Sequence, residues 1–405
     1  MPATVPHIRG TMMAPELQPK RHGAVPAGVA LAGAAVLVLL SMMVIVPPFS
    51  MVLFPIAVGA SEYSPFLVLL DLAWCLVVSR LLLGRRRPRV LSQVLLFLSA
   101  CIAVWPLTTF PRVSSTVSAQ LGTEGAPPRF SLMTALKGLP VSSDVVERTI
   151  AYAAADGAPL ALRLYALPGK AARPTVVVIY GGAWRSGAPT QCENVSRALA
   201  SKGFTVAAID YRHSPRFPFP AAIDDVNRAL GLLRDSAGAW SIDAERMAVL
   251  GRSSGGHLAE LAAYRPNAFP LKAVVAVYAP FDLVQGYEDL PSPDPIGVRS
   301  VLEDFTGGTP ATRGAVYRDA SPSSYVRTGV PPTLLVYGGR DHVVKPAFNR
   351  GAATKLRLAH VPVVAIELPW AEHGFDMAPA GLGGQLAFSV ISDFLDRELR
   401  RAQVP

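Results

Sequence analysis

Met247-Ala-Val-Leu-Gly-Arg-Ser-Ser-Gly-Gly-His257 reads as the end of a buried strand, a sharp turn and the first residues of a helix. Met247 to Leu250 form a short apolar run, and Gly256 to Ala262 continue with helical spacing. Between them, Gly251 and Gly255 flank Arg252, Ser253 and Ser254. A serine set between glycines at a strand-to-helix turn is lifted out of the sheet. The glycines are required because a Cβ there would strike the neighbouring strand and helix. A lone Gly-x-Ser-x-Gly pattern also arises by chance as an ordinary loop, so its meaning depends on what the rest of the chain supplies.

Outward from this turn the sequence alternates strands and helices. A hairpin is expected from Ala151–Ala155 and Pro159–Tyr165, turned by Asp156-Gly157. Strands follow at Pro174–Tyr180, Phe204–Asp210, Ala273–Tyr278, Thr333–Tyr337 and Val361–Leu368, with helices at Cys192–Lys202 and Ala221–Asp235. This alternation implies a mostly parallel sheet covered on both faces, with ligands meeting the carboxyl ends of its strands.

A seryl nucleophile needs a base, an acid to orient that base, and donors for an oxyanion. Each has a candidate just beyond a strand. Gly181 and Gly182, after the strand ending at Tyr180, offer backbone N–H groups, and Ser254 N–H is the third donor. Asp341 follows the strand ending at Tyr337 and is the candidate acid, although turn aspartates also cap helices. His373 follows the last strand, beside the flexible Gly374, and is the candidate base. The order Ser253, Asp341, His373 is the chain order such sites require on this architecture. The other six histidines are weaker candidates: His7 and His22 lie in the N-terminal tail, His360 ends a helix, His213 lies in a polar turn, and His257 packs in the elbow helix. The side chain of His342, adjoining the acid, should diverge from the site.

These residues resemble the α/β-hydrolase esterases and lipases, the group containing hormone-sensitive-lipase-like and feruloyl-esterase-like carboxylesterases. The resemblance covers about residues 145–400 and rests on Tyr180–Trp184, Asp210–Arg212 with Ser214-Pro215, and Phe219–Ala222 before Asp225. It continues through Gly251–His257, Ala320–Pro322, Gly339–Asp341 and Glu372–Phe375. It implies ester cleavage by Ser253, His373 and Asp341, with no metal or cofactor. Two departures stand out: Tyr180 and Ala183 occupy positions where such enzymes carry histidine and a third glycine, and Arg252 precedes the serine. The insertion at about 283–330 is expected to line or cover the pocket. The same three residues serve peptide and arylformamide cleavage, and non-catalytic proteins of this fold exist, so the bond is open.

The N-terminal third lies outside this resemblance. The chain has 405 residues, 51% of them apolar, and a net charge of +9. Up to Arg112 there are nine Lys or Arg and three Asp or Glu, so most of the excess charge sits there. That distribution is a membrane-topology signal and gives no nucleic-acid footprint. Membrane spans are expected at about 25–46, 65–83 and 90–110, each near the length that crosses a hydrocarbon core about 30 Å thick. Met51–Ala60 is too short and is read as interfacial or re-entrant. Arg9, Lys20, Arg21 and the arginines between Arg80 and Arg89 should stay inside, with residues 1–24 as a cytoplasmic tail and all after Phe110 outside. Asp71 lies within the second span, where a neutral or helix-paired carboxyl is expected. Residues 111–144, rich in Ser, Thr, Pro and Gly, read as a linker. Cys75 and Cys101 lie in apolar runs, leaving Cys192 alone in the globular part, so no disulfide or zinc-ligand spacing arises there.

Overall fold

The structure is a computed structural model and describes residues 24–122, 127–266 and 269–400. The expected cytoplasmic tail, apart from Ala24, therefore lies outside the described residues. Five helices open the chain: α1 (Ala24–Met42), α2 (Phe54–Glu62), α3 (Ser64–Leu81), α4 (Arg86–Ala103) and α5 (Trp105–Leu121), followed by a short α6 (Leu132–Lys137). Three spans were expected, but among the described residues two helical stretches have the length and composition to cross a membrane: Ser64–Leu81 and Arg86–Leu121. Helix α1 spans 19 residues, with an apolar run over Pro26–Met42, and the chain turns after Met42. The third expected span runs through α4 into α5, past Trp105-Pro106. The segment expected to be interfacial forms the nine-residue α2.

The expected linker is also corrected in part: residues 111–121 are helical. Phe110, Val113, Val117 and Leu121 recur at helical spacing and join the main core of the globular part. Pro111 and the Ser/Thr content concealed that stripe. Asp71 turns inward, 2% exposed, and its carboxylate oxygens have no hydrogen-bond partner among the described residues.

The globular part is built on an eight-stranded sheet in the order β1-β2-β4-β3-β5-β6-β7-β8. β1 (Val146–Ala153) and β2 (Pro159–Ala166) are the expected hairpin, and β2 also runs antiparallel to β4 (Thr205–Ile209). β3 (Arg173–Ile179), β5 (Ile242–Arg252), β6 (Ala273–Val277), β7 (Thr333–Gly338) and β8 (Val363–Leu368) complete a parallel array with β4. Central strands are apolar on both faces, as Val176, Val177, Val178 and Ile179 illustrate, because helices cover both sides. Those helices are α7 (Glu193–Ser201), α8 (Ala221–Asp235), α9 (Ser254–Tyr264), α10 (Leu283–Glu288), α11 (Val298–Thr306), α12 (Pro310–Asp319), α13 (Pro346–Leu358) and α14 (Leu382–Arg400). At the β8 edge, Gln120 of α5 accepts from Ala365 N (3.0 Å) and donates to Ala365 O (3.2 Å), occupying backbone groups that an open edge would expose.

Candidate active site

Ser253 sits between β5 and α9 with φ 51° and ψ −124°, a backbone that L-residues adopt only when the surroundings hold them there. The surroundings are the glycines. A Cβ on Gly251 would stand 2.0 Å from the Gly255 carbonyl oxygen, and one on Gly255 would stand 2.3 Å from the carbonyls of Ile179 and Tyr180. The turn can close only with both residues bare.

Three residues from three strand ends converge here. His373 Nε2 lies 2.9 Å from Ser253 Oγ, and His373 Nδ1 lies 2.8 Å from Asp341 Oδ2. The other oxygen of Asp341 accepts from Val343 N (2.8 Å) and Val344 N (2.7 Å), so one carboxylate both closes its turn and holds the imidazole. With Asp341 on Nδ1, the proton belongs there and the Nε2 lone pair faces the hydroxyl. Gly181 abuts the serine: a Cβ on it would meet Ser253 Cβ at 3.1 Å. Gly182 has φ +142°, and Ala183, the next residue of that turn, has φ +55° and lines the cavity beside Ser253 and Ser254.

The departures at Tyr180 and Arg252 have structural answers. Tyr180 stacks on Tyr211 with ring centroids 4.5 Å apart, donates to Asp210 Oδ1 (2.6 Å) and meets His213 Nε2 (2.9 Å), forming a polar cluster beside the Gly181-Gly182 turn. The charge of Arg252 does not reach the pocket as a free cation. Its guanidinium is buried, bonds Asp376 and also donates to Cys192 Sγ. Tyr278 donates to the other oxygen of Asp376, and its ring lies 4.4 Å from the His373 ring. This cluster joins the elbow to the base loop and had no sequence signal beyond the unusual arginine.

Among the described residues, the remaining histidines stay outside this set of contacts. His342 diverges as expected and pairs with Glu372 Oε2 at 2.6 Å. His257 is fully buried, contacting the Ala320 carbonyl at 2.6 Å through Nε2 and accepting from Trp184 Nε1 at 3.3 Å. Burial pushes it down to about 3, partly opposed by the Ala320 carbonyl. A neutral buried histidine leaves the unfolded chain holding more protons below pH 6.5. Its contribution therefore falls away as the pH drops from 6.5 towards 3, by at most about 1.4 kcal/mol per unit. Denaturation at pH 7 and pH 5 should show a smaller acid loss in His257→Gln than in wild type.

Next to Ser253 opens a largely apolar pocket, continuous with solvent. Leu283 and Gly286 of α10, Val298, Val301 and Leu302 of α11, and Phe348 of α13 line it, so the segment 283–302 supplies part of its wall.

A family profile described as BD-FAE matches residues 162–356. The chain is 32% identical over 231 residues to the probable carboxylic ester hydrolase LipM of Mycobacterium tuberculosis, covering 54% of this chain and 53% of that protein. It is 32% identical over 232 residues to the esterase LipC of the same organism, covering 54% and 57%. It thus spans a little over half the length of these curated relatives. The structure of a bacterial heroin esterase superposes with a TM-score of 0.57 at 22% identity, over 73% of this chain and 93% of that one. A mostly parallel sheet flanked by helices, matched to esterase structures over most of their length, gives this chain the α/β-hydrolase fold.

Proposed function

We propose that this protein is a membrane-anchored serine hydrolase that cleaves carboxylic esters through an acyl-enzyme, with residues 145–400 as its catalytic domain outside the cytoplasm. The observation that carries the reading is the unbroken chain from Ser253 Oγ through His373 to Asp341, with contacts of 2.9 and 2.8 Å. Ser253 Oγ attacks the ester carbonyl while His373 Nε2 takes its proton. Backbone N–H groups of Gly181, Gly182 and Ser254, joined by Ala183, receive the oxyanion, and each such donor is worth about 3 kcal/mol of barrier. The imidazolium, held by Asp341, returns the proton to the departing alkoxide. Water then enters by the same route in reverse and frees the acid, regenerating Ser253.

Esters are favoured over peptide and arylformamide bonds by the apolar cavity, which suits a hydrocarbon acyl chain. A non-catalytic role is disfavoured by a complete relay. Full-length protein assayed on p-nitrophenyl esters from acetyl to dodecanoyl, peptide anilides and arylformamides tests this directly. Ester turnover should exceed the others; amide turnover without ester turnover contradicts it. External protease on intact cells should digest the catalytic domain, and protection would place it in the cytoplasm.

Acyl length should respond to Gly286. A Cβ there meets only Leu302 Cδ1, at an ordinary 3.8 Å, so a larger side chain enters the cavity without breaking α10. Gly286→Leu is expected to lower kcat/KM for an octanoyl ester about tenfold more than for an acetyl ester, the worth of one or two lost methylene contacts.

A further inference from the structure

The loops carrying the acid and the base both touch the N-terminal helices. On the acid loop, Arg340 donates to the Ile45 carbonyl and lies 6.0 Å from the centroid of the Trp105 ring. On the base loop, a Cβ added to Gly374 would stand 4.0 Å from the Phe54 ring of α2. Most telling is Glu62, the last residue of α2, which is fully buried. Its Oε2 accepts from Gly383 N at 2.6 Å and Gly384 N at 3.0 Å, in the first turn of α14. Helices open on N–H groups without internal partners, and a carboxyl oxygen satisfies them well. Here that oxygen comes from a segment outside the α/β-hydrolase domain.

The receiving turn is shaped for it. A Cβ on Gly381 would stand 2.6 Å from Glu62 Cβ, and one on Gly383 would stand 2.6 Å from Glu62 Oε1. The turn is also tied to the base loop, because Gly381 N donates to Ala378 O at 2.8 Å. Within that loop, Asp376 bonds Arg252 and Tyr278, and the Tyr278 ring packs on His373.

We propose that Glu62 is a positioning residue for His373: its carboxyl fixes the first turn of α14, and through it the loop that holds the imidazole against Ser253. The inference rests on the esterase reading above and makes α2 a working part of the site. Burial raises the Glu62 carboxyl to about 8; Asp376 adds to the rise, while the Gly384 and Gly383 N–H groups and Trp370 oppose it. At neutral pH it is mostly the uncharged acid, for which glutamine is a near equivalent.

The test measures kcat, KM and the fluorophosphonate labelling rate for full-length wild type, Glu62→Ala, Glu62→Gln, Gly383→Ala and the Glu62→Ala/Gly383→Ala double variant, using a short soluble ester. Glu62→Ala should lower kcat and labelling by about ten- to a hundredfold, the cost of a small misplacement. KM should stay within about twofold, since substrate contacts are untouched. Glu62→Gln should keep at least about a third of the wild-type rate, because the acceptor oxygen remains. Gly383→Ala should match the loss, and the double variant should be no slower than the slower single, because both act on one contact. A wild-type kcat in Glu62→Ala, or multiplied losses in the double variant, overturns the proposal. If Glu62→Ala fails to fold, Gly383→Ala decides, and a wild-type kcat there is equally fatal. A wild type inert to the probe, or a Ser253→Ala variant that still reacts, removes the esterase reading and this inference with it. A reactive wild type with Glu62→Ala unchanged removes the role of Glu62 alone.

Discussion

Ser253→Ala is expected to lower kcat on a p-nitrophenyl ester by at least about 10⁴-fold, and His373→Ala by a similar factor, with the double variant no worse than either single. The losses do not multiply because both changes stop one event, the transfer of the Oγ proton to Nε2 across 2.9 Å. No neighbouring hydroxyl can take over. Ser254 is 1% exposed at the start of α9, and its Oγ is buried. Initial rates at saturating ester decide the matter; retention of more than about 1% of the wild-type kcat in Ser253→Ala would point to a different nucleophile.

Arg252→Met is expected to cost about 3–5 kcal/mol of stability, the penalty for stranding a buried charge. The charge left behind is Asp376, 7% exposed, whose remaining partner is the Tyr278 hydroxyl. Burial opposes the charge on Arg252, but Asp376 outweighs it and holds the guanidinium firmly protonated. Replacing both members, Arg252→Met with Asp376→Leu, should recover much of the loss, because an apolar pair leaves no uncompensated ion. Thermal unfolding of the two variants against wild type checks this. A single variant as stable as wild type would mean that Asp376 finds another partner. Since Arg252 adjoins Ser253 and Asp376 lies in the base loop, the single variant should also turn over more slowly than its stability alone explains.

Much of the candidate site was legible because the chemistry proposed for it leaves marks along the chain. Gly251 and Gly255 bracket the serine for a steric reason that a sequence displays, and Asp341 and His373 each follow an apolar strand directly. Helix α8 lies at Ala221–Asp235, as its periodicity required. Other features depend on residues far apart in sequence. The stripe Phe110, Val113, Val117 and Leu121 on α5 was obscured by Pro111, which helices tolerate here because α5 packs along β8 and α14. Arg252 stood out as unusual, but its partners Asp376 and Cys192, and the Tyr278 that bonds Asp376, come from three separate segments. Glu62 gave no signal at all: a lone acid after an apolar run acquires its meaning only when the fold sets it against Gly383 and Gly384.

Mapping the fluorophosphonate adduct by peptide mass tests the nucleophile most directly. Full-length wild type should carry one phosphonyl group on Ser253, and Ser253→Ala should carry none. An adduct on any other residue, or labelling that persists in Ser253→Ala, would contradict a serine hydrolase built on Ser253, His373 and Asp341.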